Sequence, residues 1–276
     1  MIYETHRIWE GSKSGISTAA TLTAYLPDNS PEIDMARKNK AVLICPGGGY
    51  GFTSDREAEP IALAFAGEGI CAFVLRYSVA PDRYPIQLLE ASRAMQLIRK
   101  NAEAWHVNTD DIAVMGFSAG GHLAGSLGVF WNAPFVREAL GLQEGENRPS
   151  RMVLCYPVIT SQIGPAHRDS FYNLMGEGKS EEEYASVSLE RHVSADTPPA
   201  FIWHTAADNL VPVENSLLFA GALQKQHIPF ELHIYPEGQH GLSLADRRTA
   251  APGADSLLNL RVAEWFGACV RWMKGC

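Results

Sequence analysis

Several features of membrane proteins and nucleic-acid-binding proteins are absent from this sequence. No segment approaches the ~18 uncharged apolar residues of a membrane-spanning helix. The first ten residues also lack the basic start and continuous apolar stretch of a secretory signal. Lys and Arg number 23 against 31 Asp and Glu, and no basic block occurs anywhere in the chain. Nucleic acid and anionic membrane surfaces are therefore not expected as partners.

Cysteine pairs are also lacking. The five cysteines, an odd number, stand at positions 45, 71, 155, 269 and 276, and no two have the spacing of a metal knuckle. Cys45, Cys71 and Cys155 lie in apolar, strand-like runs, where cysteine behaves as a small buried hydrophobe. A chain of 276 residues does not need a disulfide framework. We therefore expect a cytoplasmic protein that holds no metal.

Short apolar runs alternate with helical patterns along most of the chain, whose hydrophobic content of 46% is ordinary for a globular protein. Continuous apolar runs, typical of strands covered on both faces, occur at Ala41–Cys45, Cys71–Leu75, Ile112–Met115, Met152–Tyr156 and Ala200–His204. The run Phe230–Tyr235 alternates and is expected nearer an edge. Helical patterns cover Glu57–Gly67, Ile86–Trp105, the stretch after Ser118, Val213–His227 and Asp255–Lys274. This alternation predicts an α/β fold with a mostly parallel sheet of about eight strands and helices on both faces.

The domain organisation follows from the segments that do not fit this alternation. Thr18–Leu26 is rich in β-formers and precedes a turn-like P-D-N-S-P, which indicates antiparallel strands at one sheet edge. Residues 131–150 and 160–197 are mixed in composition, and we interpret both as excursions over the C-terminal edge of the sheet, where such folds bind ligands. We therefore expect a single domain over residues 1–276 with a small cap.

The strongest local motif is G-F-S-A-G at 116–120, which fits the pattern G-x-S-x-G. It follows a predicted strand and opens a predicted helix, so that Ser118 would stand on a sharp turn with strained backbone angles. Small residues two positions before and after let the chain pass closely. The helix N-terminus favours negative charge that develops beside the hydroxyl. Ser118 is therefore the candidate nucleophile.

A serine nucleophile needs a base, and the base needs a carboxylate that orients it. Asp208 follows the strand Ala200–His204, and His240 follows the strand Phe230–Tyr235 in a loop that contains glycines on both sides. The chain order serine, aspartate, histidine is the one that this architecture uses. We therefore predict a triad of Ser118, Asp208 and His240.

Three consecutive glycines follow the strand Ala41–Cys45, in the stretch C-P-G-G-G-Y. Glycines leave backbone N–H groups free to point into a site, and such donors, together with the amide of Ala119, would form an oxyanion hole. A phosphate-binding loop is the competing interpretation. It is disfavoured because no G-K-[ST] follows and no G-x-G-x-x-G spacing is present.

These motifs as a set resemble those of the α/β-hydrolase esterases, over the chain from about Ala41 onward. The stretch L-R-Y-S-V-A-P at 75–81 is similar to the Y-R-L-A-P segment of hormone-sensitive-lipase-like members. The resemblance implies that Ser118 is the nucleophile and that Asp208 and His240 complete the triad. It also implies that Gly48, Gly49 and Ala119 are the oxyanion donors.

Two departures narrow the resemblance. Pro46 stands where the family's H-G-G-G motif has histidine, and the long N-terminal helical cap of lipase-like members is missing. Both features resemble short bacterial esterases that deacylate sugars, which implies small acyl groups on a polar alcohol. We predict a serine carboxylesterase acting on acetyl groups of sugars or xylo-oligosaccharides, with no cofactor and with substrate contacts from Tyr50, Trp131 and Tyr172.

Other functions stay open at this point. The same triad would serve a small-amide hydrolase, such as an arylformamidase or a peptidase, and it would also serve a lipase-like esterase for longer acyl chains. A non-catalytic binding protein on a hydrolase scaffold is a third class, since a fold does not guarantee activity. Self-association is also left open.

Overall fold

The computed structural model describes residues 1–10, 16 and 18–275. Its centre is one sheet of eight strands, in the spatial order β1-β2-β4-β3-β5-β6-β7-β8. The strands are β1 (Ile2–Arg7), β2 (Thr21–Leu26), β3 (Asn39–Cys45), β4 (Cys71–Arg76), β5 (Val107–Phe117), β6 (Arg151–Cys155), β7 (Ala200–Thr205) and β8 (Phe230–Tyr235). The predicted α/β architecture with a mostly parallel sheet is therefore confirmed.

The strands β3 to β8 run parallel, so their carboxyl ends meet at one edge of the sheet. The four apolar residues at the centre of β3, 41–44, are fully buried, because helices cover the sheet on both faces. The strands β1 and β2 pair antiparallel with each other, and β2 pairs antiparallel with β4. This confirms the antiparallel strand predicted within Thr18–Leu26, and β8 is the opposite edge strand, as expected.

Eight α-helices lie in the described part of the chain: α1 (Glu59–Gly67), α2 (Ile86–Lys100), α3 (Ala119–Phe130), α4 (Pro134–Leu140), α5 (Arg168–Met175), α6 (Glu181–Ala185), α7 (Glu214–Lys225) and α8 (Leu260–Lys274). One core packs α1 and α8 against the sheet through residues such as Phe65 and Trp265. The other core packs α2, α3 and α7 against the opposite face, through residues such as Met95 and Phe219. These five helices therefore bury their apolar sides against strands that are apolar on both faces.

The last helix begins later than its sequence pattern predicts. The stretch Asp255–Leu257 forms a short 3₁₀ turn, and α8 starts at Leu260. The side chain of Asn259 caps α8 by accepting a hydrogen bond from the amide of Val262 at 3.1 Å. Val262 and Trp265 then lie on the buried face, as the pattern predicts.

The segment 131–150 is not a cap over the C-terminal edge, and this prediction was wrong. The helix α3 starts at that edge and runs back across the sheet, so the residues that follow it lie at the opposite edge. Contacts with the start of β5 show this position: the amide of Ser150 donates to the carbonyl of Ile112 at 2.8 Å. Arg99 also bridges the carbonyls of Thr109 and Arg148. Of the two segments predicted to form a cap, only the one between β6 and β7, which carries α5 and α6, follows a strand end at the C-terminal edge.

Within the described residues, no helix combines the length and apolar character needed to cross a membrane. The four cysteines at 45, 71, 155 and 269 are buried free thiols, and Cys276 lies outside the described residues.

Candidate active site

Ser118 stands on the turn between β5 and α3, with backbone angles of φ 54° and ψ −121°. This is a strained conformation for a residue with a side chain, and such strain is concentrated at functional sites. The turn needs the two glycines that flank the serine. A methyl group at Gly116 would overlap the carbonyl oxygen of Gly120, and one at Gly120 would overlap the carbonyl oxygens of Cys45 and Pro46. The G-x-S-x-G pattern therefore reflects close backbone packing.

The structure brings Ser118, His240 and Asp208 together. Oγ of Ser118 lies 2.8 Å from Nε2 of His240, and Nδ1 of His240 lies 2.7 Å from Oδ2 of Asp208. The carboxylate accepts a hydrogen bond from Nδ1–H, which leaves Nε2 as the acceptor for the serine proton. The base therefore lies within hydrogen-bond distance of both the nucleophile and the orienting carboxylate.

The carboxylate of Asp208 is buried, with 1% of its side chain exposed. Its Oδ1 accepts the amides of Leu210 and Val211, both at 2.9 Å. Burial opposes the ionisation of Asp208, but hydrogen bonds from His204 and His240 outweigh it, so the pKa of this carboxyl lies well below its usual range. Asp208 is therefore a fixed negative charge behind the imidazole.

The imidazole of His240 packs edge-on against the ring of Tyr156, with ring centroids 5.0 Å apart. Its loop is held at two further points. The amide of His240 lies 3.4 Å from Oδ1 of Asn209, and the guanidinium of Arg56 donates to the carbonyl of Gly241 at 2.9 Å. The histidine therefore has a defined orientation, although it lies on a loop.

The glycine loop after β3 folds over Ser118. Its five carbonyls, from Pro46 to Tyr50, all accept hydrogen bonds, and the donors are the hydroxyl of Tyr77, the amides of Ser54, Gly51 and Ala80, and the side chain of Asn173. The amide of Gly47 donates to Oε2 of Glu57 at 2.8 Å. Within the described residues, the amides of Gly48 and Gly49 have no acceptor.

The amide of Ala119 belongs to the first residue of α3, so it has no acceptor within its own helix. Among the residues that the structure describes, the amides of the three predicted oxyanion donors, Gly48, Gly49 and Ala119, thus have no acceptor. Their role as an oxyanion hole stays a prediction.

Two of the predicted substrate contacts lie elsewhere. Tyr50 is the last residue of the glycine loop, and its side chain is buried, with the hydroxyl 2.8 Å from Nδ1 of His122. Trp131 follows the last residue of α3, at the other end of a helix of about 18 Å, and its Nε1–H donates to the carbonyl of Asp196 at 3.0 Å. Both residues therefore have packing roles, and the prediction that they contact substrate is corrected.

Tyr172 lies on α5, in the segment that follows β6. Its ring is half-buried and packs edge-on against Tyr184 at 5.7 Å, and the guanidinium of Arg168 lies 5.9 Å from its centroid. This leaves its predicted contact with substrate as a prediction.

Sequence reasoning missed the polar face that α5 and the residue before it present to the glycine loop. A methyl group at Gly49 would lie 3.9 Å from both His167 and the hydroxyl of Ser170, and Nδ2 of Asn173 donates to the carbonyl of Gly49 at 3.0 Å. Burial lowers the pKa of His167, and the nearby imidazole of His240 lowers it further. The signal was the H-R-D-S stretch at 167–170, a polar run within a segment already expected to lie over the site.

Comparisons with known proteins agree with this geometry. The BD-FAE family model matches residues 25–223, and the model of the dienelactone hydrolase family matches residues 184–270. Among solved structures, the acetyl ester-xyloside bifunctional hydrolase from Caldicellulosiruptor lactoaceticus is 37% identical, with a TM-score of 0.82 and coverage of 99% of this chain and 96% of that one. The carboxylesterase Cest-2923 from Lactobacillus plantarum is 28% identical, with a TM-score of 0.85 and coverage of 100% and 98%.

Two curated relatives are longer than this chain. Endo-1,4-beta-xylanase B of Butyrivibrio fibrisolvens is 40% identical over 220 residues, which are 76% of this chain and 33% of the relative. The acetylxylan esterase of Xylanibacter ruminicola is 30% identical over 227 residues, which are 80% of this chain and 43% of the relative. The chain therefore spans between a third and a half of the length of these relatives.

Proposed function

Because this chain belongs to the BD-FAE family, we propose that it is a serine carboxylesterase that hydrolyses short-chain acyl esters. The observation that carries the proposal is the continuous path of hydrogen bonds from Ser118 through His240 to Asp208, with distances of 2.8 Å and 2.7 Å. This path lies directly beneath a glycine loop with two unused amides. A nucleophile, a base and donors for an oxyanion are the three elements that acyl transfer needs.

In the first step, Oγ of Ser118 attacks the ester carbonyl while Nε2 of His240 accepts the serine proton. Asp208 fixes the imidazole tautomer and stabilises the imidazolium that forms. The amides of Gly48, Gly49 and Ala119 donate to the oxyanion of the tetrahedral intermediate, and each such donor is typically worth about 3 kcal/mol of barrier lowering. The imidazolium then gives its proton to the departing alcohol, and the acyl group stays on Ser118.

In the second step, water attacks the acyl-enzyme. His240 takes a proton from that water, and the same amides stabilise the second tetrahedral intermediate. Collapse of this intermediate releases the carboxylic acid and returns the proton from His240 to Oγ of Ser118. All the groups used in the cycle are side chains and backbone amides of this chain.

The substrate we propose is an acetylated sugar, such as a xylo-oligosaccharide. Two similar proteins support it: one is an acetylxylan esterase and the other is an acetyl ester-xyloside bifunctional hydrolase. The polar residues His167 and Ser170 lie beside Gly49, where they would face a polar alcohol rather than a lipid tail.

Hydrolysis of p-nitrophenyl esters from acetyl to octanoyl, with acetylated xylo-oligosaccharides in parallel, tests this proposal. We expect rates that fall with acyl chain length, and release of acetate from the sugars. Ser118→Ala should abolish turnover and labelling by a fluorophosphonate probe, with an unchanged circular dichroism spectrum. Rates that rise with acyl chain length up to octanoyl would contradict the proposed sugar substrate and would indicate a lipid-like ester instead. Faster cleavage of an N-formyl aromatic amide than of the acetyl ester would indicate an amidase.

A further inference from the structure

The buried carboxylate of Glu57 links the two loops that flank Ser118. Its Oε2 accepts the amide hydrogen of Gly47 at 2.8 Å, and its Oε1 accepts the hydroxyl hydrogen of Tyr156 at 2.6 Å. The oxygen of Tyr156 in turn accepts the amide hydrogen of Ser243 at 3.0 Å. Three consecutive hydrogen bonds therefore connect the glycine loop to the loop that carries the catalytic histidine.

Other residues already hold the 3₁₀ turn Asp55–Glu57 in place. The guanidinium of Arg56 donates to the carbonyl of Gly241 at 2.9 Å, and the hydroxyl of Ser243 donates to the carbonyl of Arg56 at 2.8 Å. Neither bond touches the glycine loop. Within the described residues, Glu57 is the only one of the three side chains in this turn that forms a hydrogen bond to the glycine loop. Arg56 contacts the His240 loop instead and does not hold the glycine loop.

Burying the carboxylate of Glu57 costs more free energy than burying an apolar side chain in the same place would. Its side chain is buried, with 4% of the residue exposed. Within the described residues, no ion pair involves this carboxylate. Removing a carboxylate from water without a cation partner costs free energy, and only well-placed donors offset that cost. An apolar side chain would pack at lower cost but could not accept two hydrogen bonds.

The glycine loop depends on this acceptor for its orientation. A methyl group at Gly47 would lie 3.1 Å from Cβ of Ser118, so this residue passes directly over the nucleophile. Because Glu57 takes the amide of Gly47, the amides of Gly48 and Gly49 are the ones left beside the site. A hydrogen bond to an oxyanion needs its donor within a few tenths of an ångström of the right position.

We propose that Glu57 is a positioning residue that holds the glycine loop and the His240 loop in register for the tetrahedral intermediate. The inference rests on the proposed ester hydrolysis. Glu57 touches neither the substrate nor the reacting atoms. It acts through Gly47 on one side and through Tyr156 on the other.

The substitution Glu57→Gln tests this role, because glutamine keeps the shape but has one acceptor oxygen instead of two. With its oxygen toward Gly47, the amide group would leave the hydroxyl hydrogen of Tyr156 without an acceptor. We expect kcat for p-nitrophenyl acetate to fall about 10- to 100-fold with KM changed less than 3-fold. The affinity for a trifluoromethyl ketone, which forms a tetrahedral adduct on Ser118, should fall by the same factor as kcat/KM.

The matched control is Glu59→Gln, an exposed carboxylate two residues along the chain, which should keep wild-type kinetics. Tyr156→Phe is the second variant, since it keeps the bond from Gly47 to Glu57 and removes both bonds of the Tyr156 hydroxyl, the one to Glu57 and the one from Ser243. It should lower kcat 3- to 10-fold and weaken the ketone similarly. It also serves as the test if Glu57→Gln does not fold.

Failure of the proposed function and failure of the inference about Glu57 would give different results. If wild-type protein hydrolyses the ester and Ser118→Ala does not, the proposed function stands. The inference about Glu57 is then overturned if the folded Glu57→Gln variant, or Tyr156→Phe in its place, keeps kcat and ketone affinity within 2-fold of wild type. A fall in the melting temperature alone, without these kinetic changes, also overturns it, because that is the effect of a purely structural residue.

Discussion

The imidazole of His204 reaches the carboxylate of Asp208, the third member of the proposed triad, from inside the protein. Its Nε2 lies 3.3 Å from Oδ2, the same oxygen that accepts the hydrogen bond from His240. His204 is fully buried on β7, where Nε2–H also donates to the carbonyl of Val211 at 2.9 Å, and Nδ1 accepts the hydroxyl of Ser216 at 2.8 Å. One carboxylate oxygen is therefore shared between two imidazoles.

The substitution His204→Asn should alter the acid limb of the pH–rate profile. Asparagine can still accept the hydroxyl of Ser216, but it is too short to donate to Asp208. A carboxylate that loses a donor is stabilised less in its charged form, so it favours the imidazolium of His240 more strongly. We expect the acid limb of kcat/KM to move to higher pH by up to about one unit, with kcat lowered about 10-fold.

The control for this prediction is His233→Asn, which changes a half-buried histidine of the neighbouring strand that contacts Glu231 rather than the triad. Its pH–rate profile should match wild type. An unshifted acid limb in His204→Asn, together with kcat within 2-fold of wild type, would show that the second imidazole is irrelevant to catalysis.

Gly120→Ala should destabilise the fold because its new methyl group would overlap the carbonyl oxygens of Cys45 and Pro46. Overpacking of this kind typically costs about 1–3 kcal/mol. Gly221→Ala is the matched comparison, since this exposed residue of α7 has no heavy atom near the new methyl group. There the helix propensity of alanine should raise the free energy of unfolding by up to about 1 kcal/mol. Urea denaturation measures both changes, and shifts of the same sign would contradict the packing argument.

The position of the triad could be predicted from the sequence because parallel strands place their carboxyl ends at one edge. Ser118, Asp208 and His240 each follow a strand whose apolar run is visible in the sequence, so the sheet brings together residues more than 100 positions apart. The resemblance to α/β-hydrolase esterases, inferred from the same motifs, is also confirmed by the family match.

The residues that support the loops around the triad, such as Glu57, could not be predicted in the same way. Glu57 ends a short 3₁₀ turn just before α1, where an acidic residue is ordinary, and nothing in the local sequence shows that its carboxylate turns inward to Gly47. Composition also misled the interpretation of residues 131–150, since polar, glycine-rich loops look alike at both edges of a sheet. Only the direction of α3, which carries the chain away from Ser118, decides between the edges.

Asn215→Asp should destabilise the protein most at neutral pH. The buried side chain of Asn215 accepts the amides of Ile159 and Thr160 through Oδ1 and donates to the carbonyls of Pro165 and Pro212 through Nδ2. A carboxylate would keep the first pair of bonds but would repel both carbonyls. The free energy of unfolding should fall by about 3–5 kcal/mol at pH 7.

The pH dependence of this loss has a defined sign. Burial would raise the pKa of the new carboxyl in the folded protein above its unfolded value, so the folded state would bind a proton more readily. The deficit should therefore shrink as the pH falls toward 4. Asn108→Asp is the control, because within the described part of the chain that side chain only accepts a hydrogen bond, from the amide of Asp110. A deficit that does not change between pH 4 and pH 7 would contradict the prediction.

His122 should make the fold less stable in mild acid. It lies buried on α3, where Nε2–H donates to the carbonyl of Val187 at 2.8 Å and Nδ1 faces the hydroxyl of Tyr50. Burial lowers the pKa of His122 to about 4, against about 6.5 in an unfolded chain. Between these two values the unfolded state binds the proton and the folded state does not, so the free energy of unfolding falls as the pH drops through this window.

From pH 7 to pH 4.5, this single group should remove about 2 kcal/mol from the free energy of unfolding. His122→Gln can accept from Tyr50 or donate to Val187 without titrating, so its stability should change less over the same range. Urea denaturation at pH 4.5, 5.5 and 7 measures the difference, and the exposed His227→Asn serves as control because it should keep the wild-type slope. Equal slopes for wild type and His122→Gln would mean that His122 is already protonated in the native state at pH 4.5. The bond from Nε2–H to Val187 would then persist in the imidazolium form, and the acid sensitivity would have to come from another group.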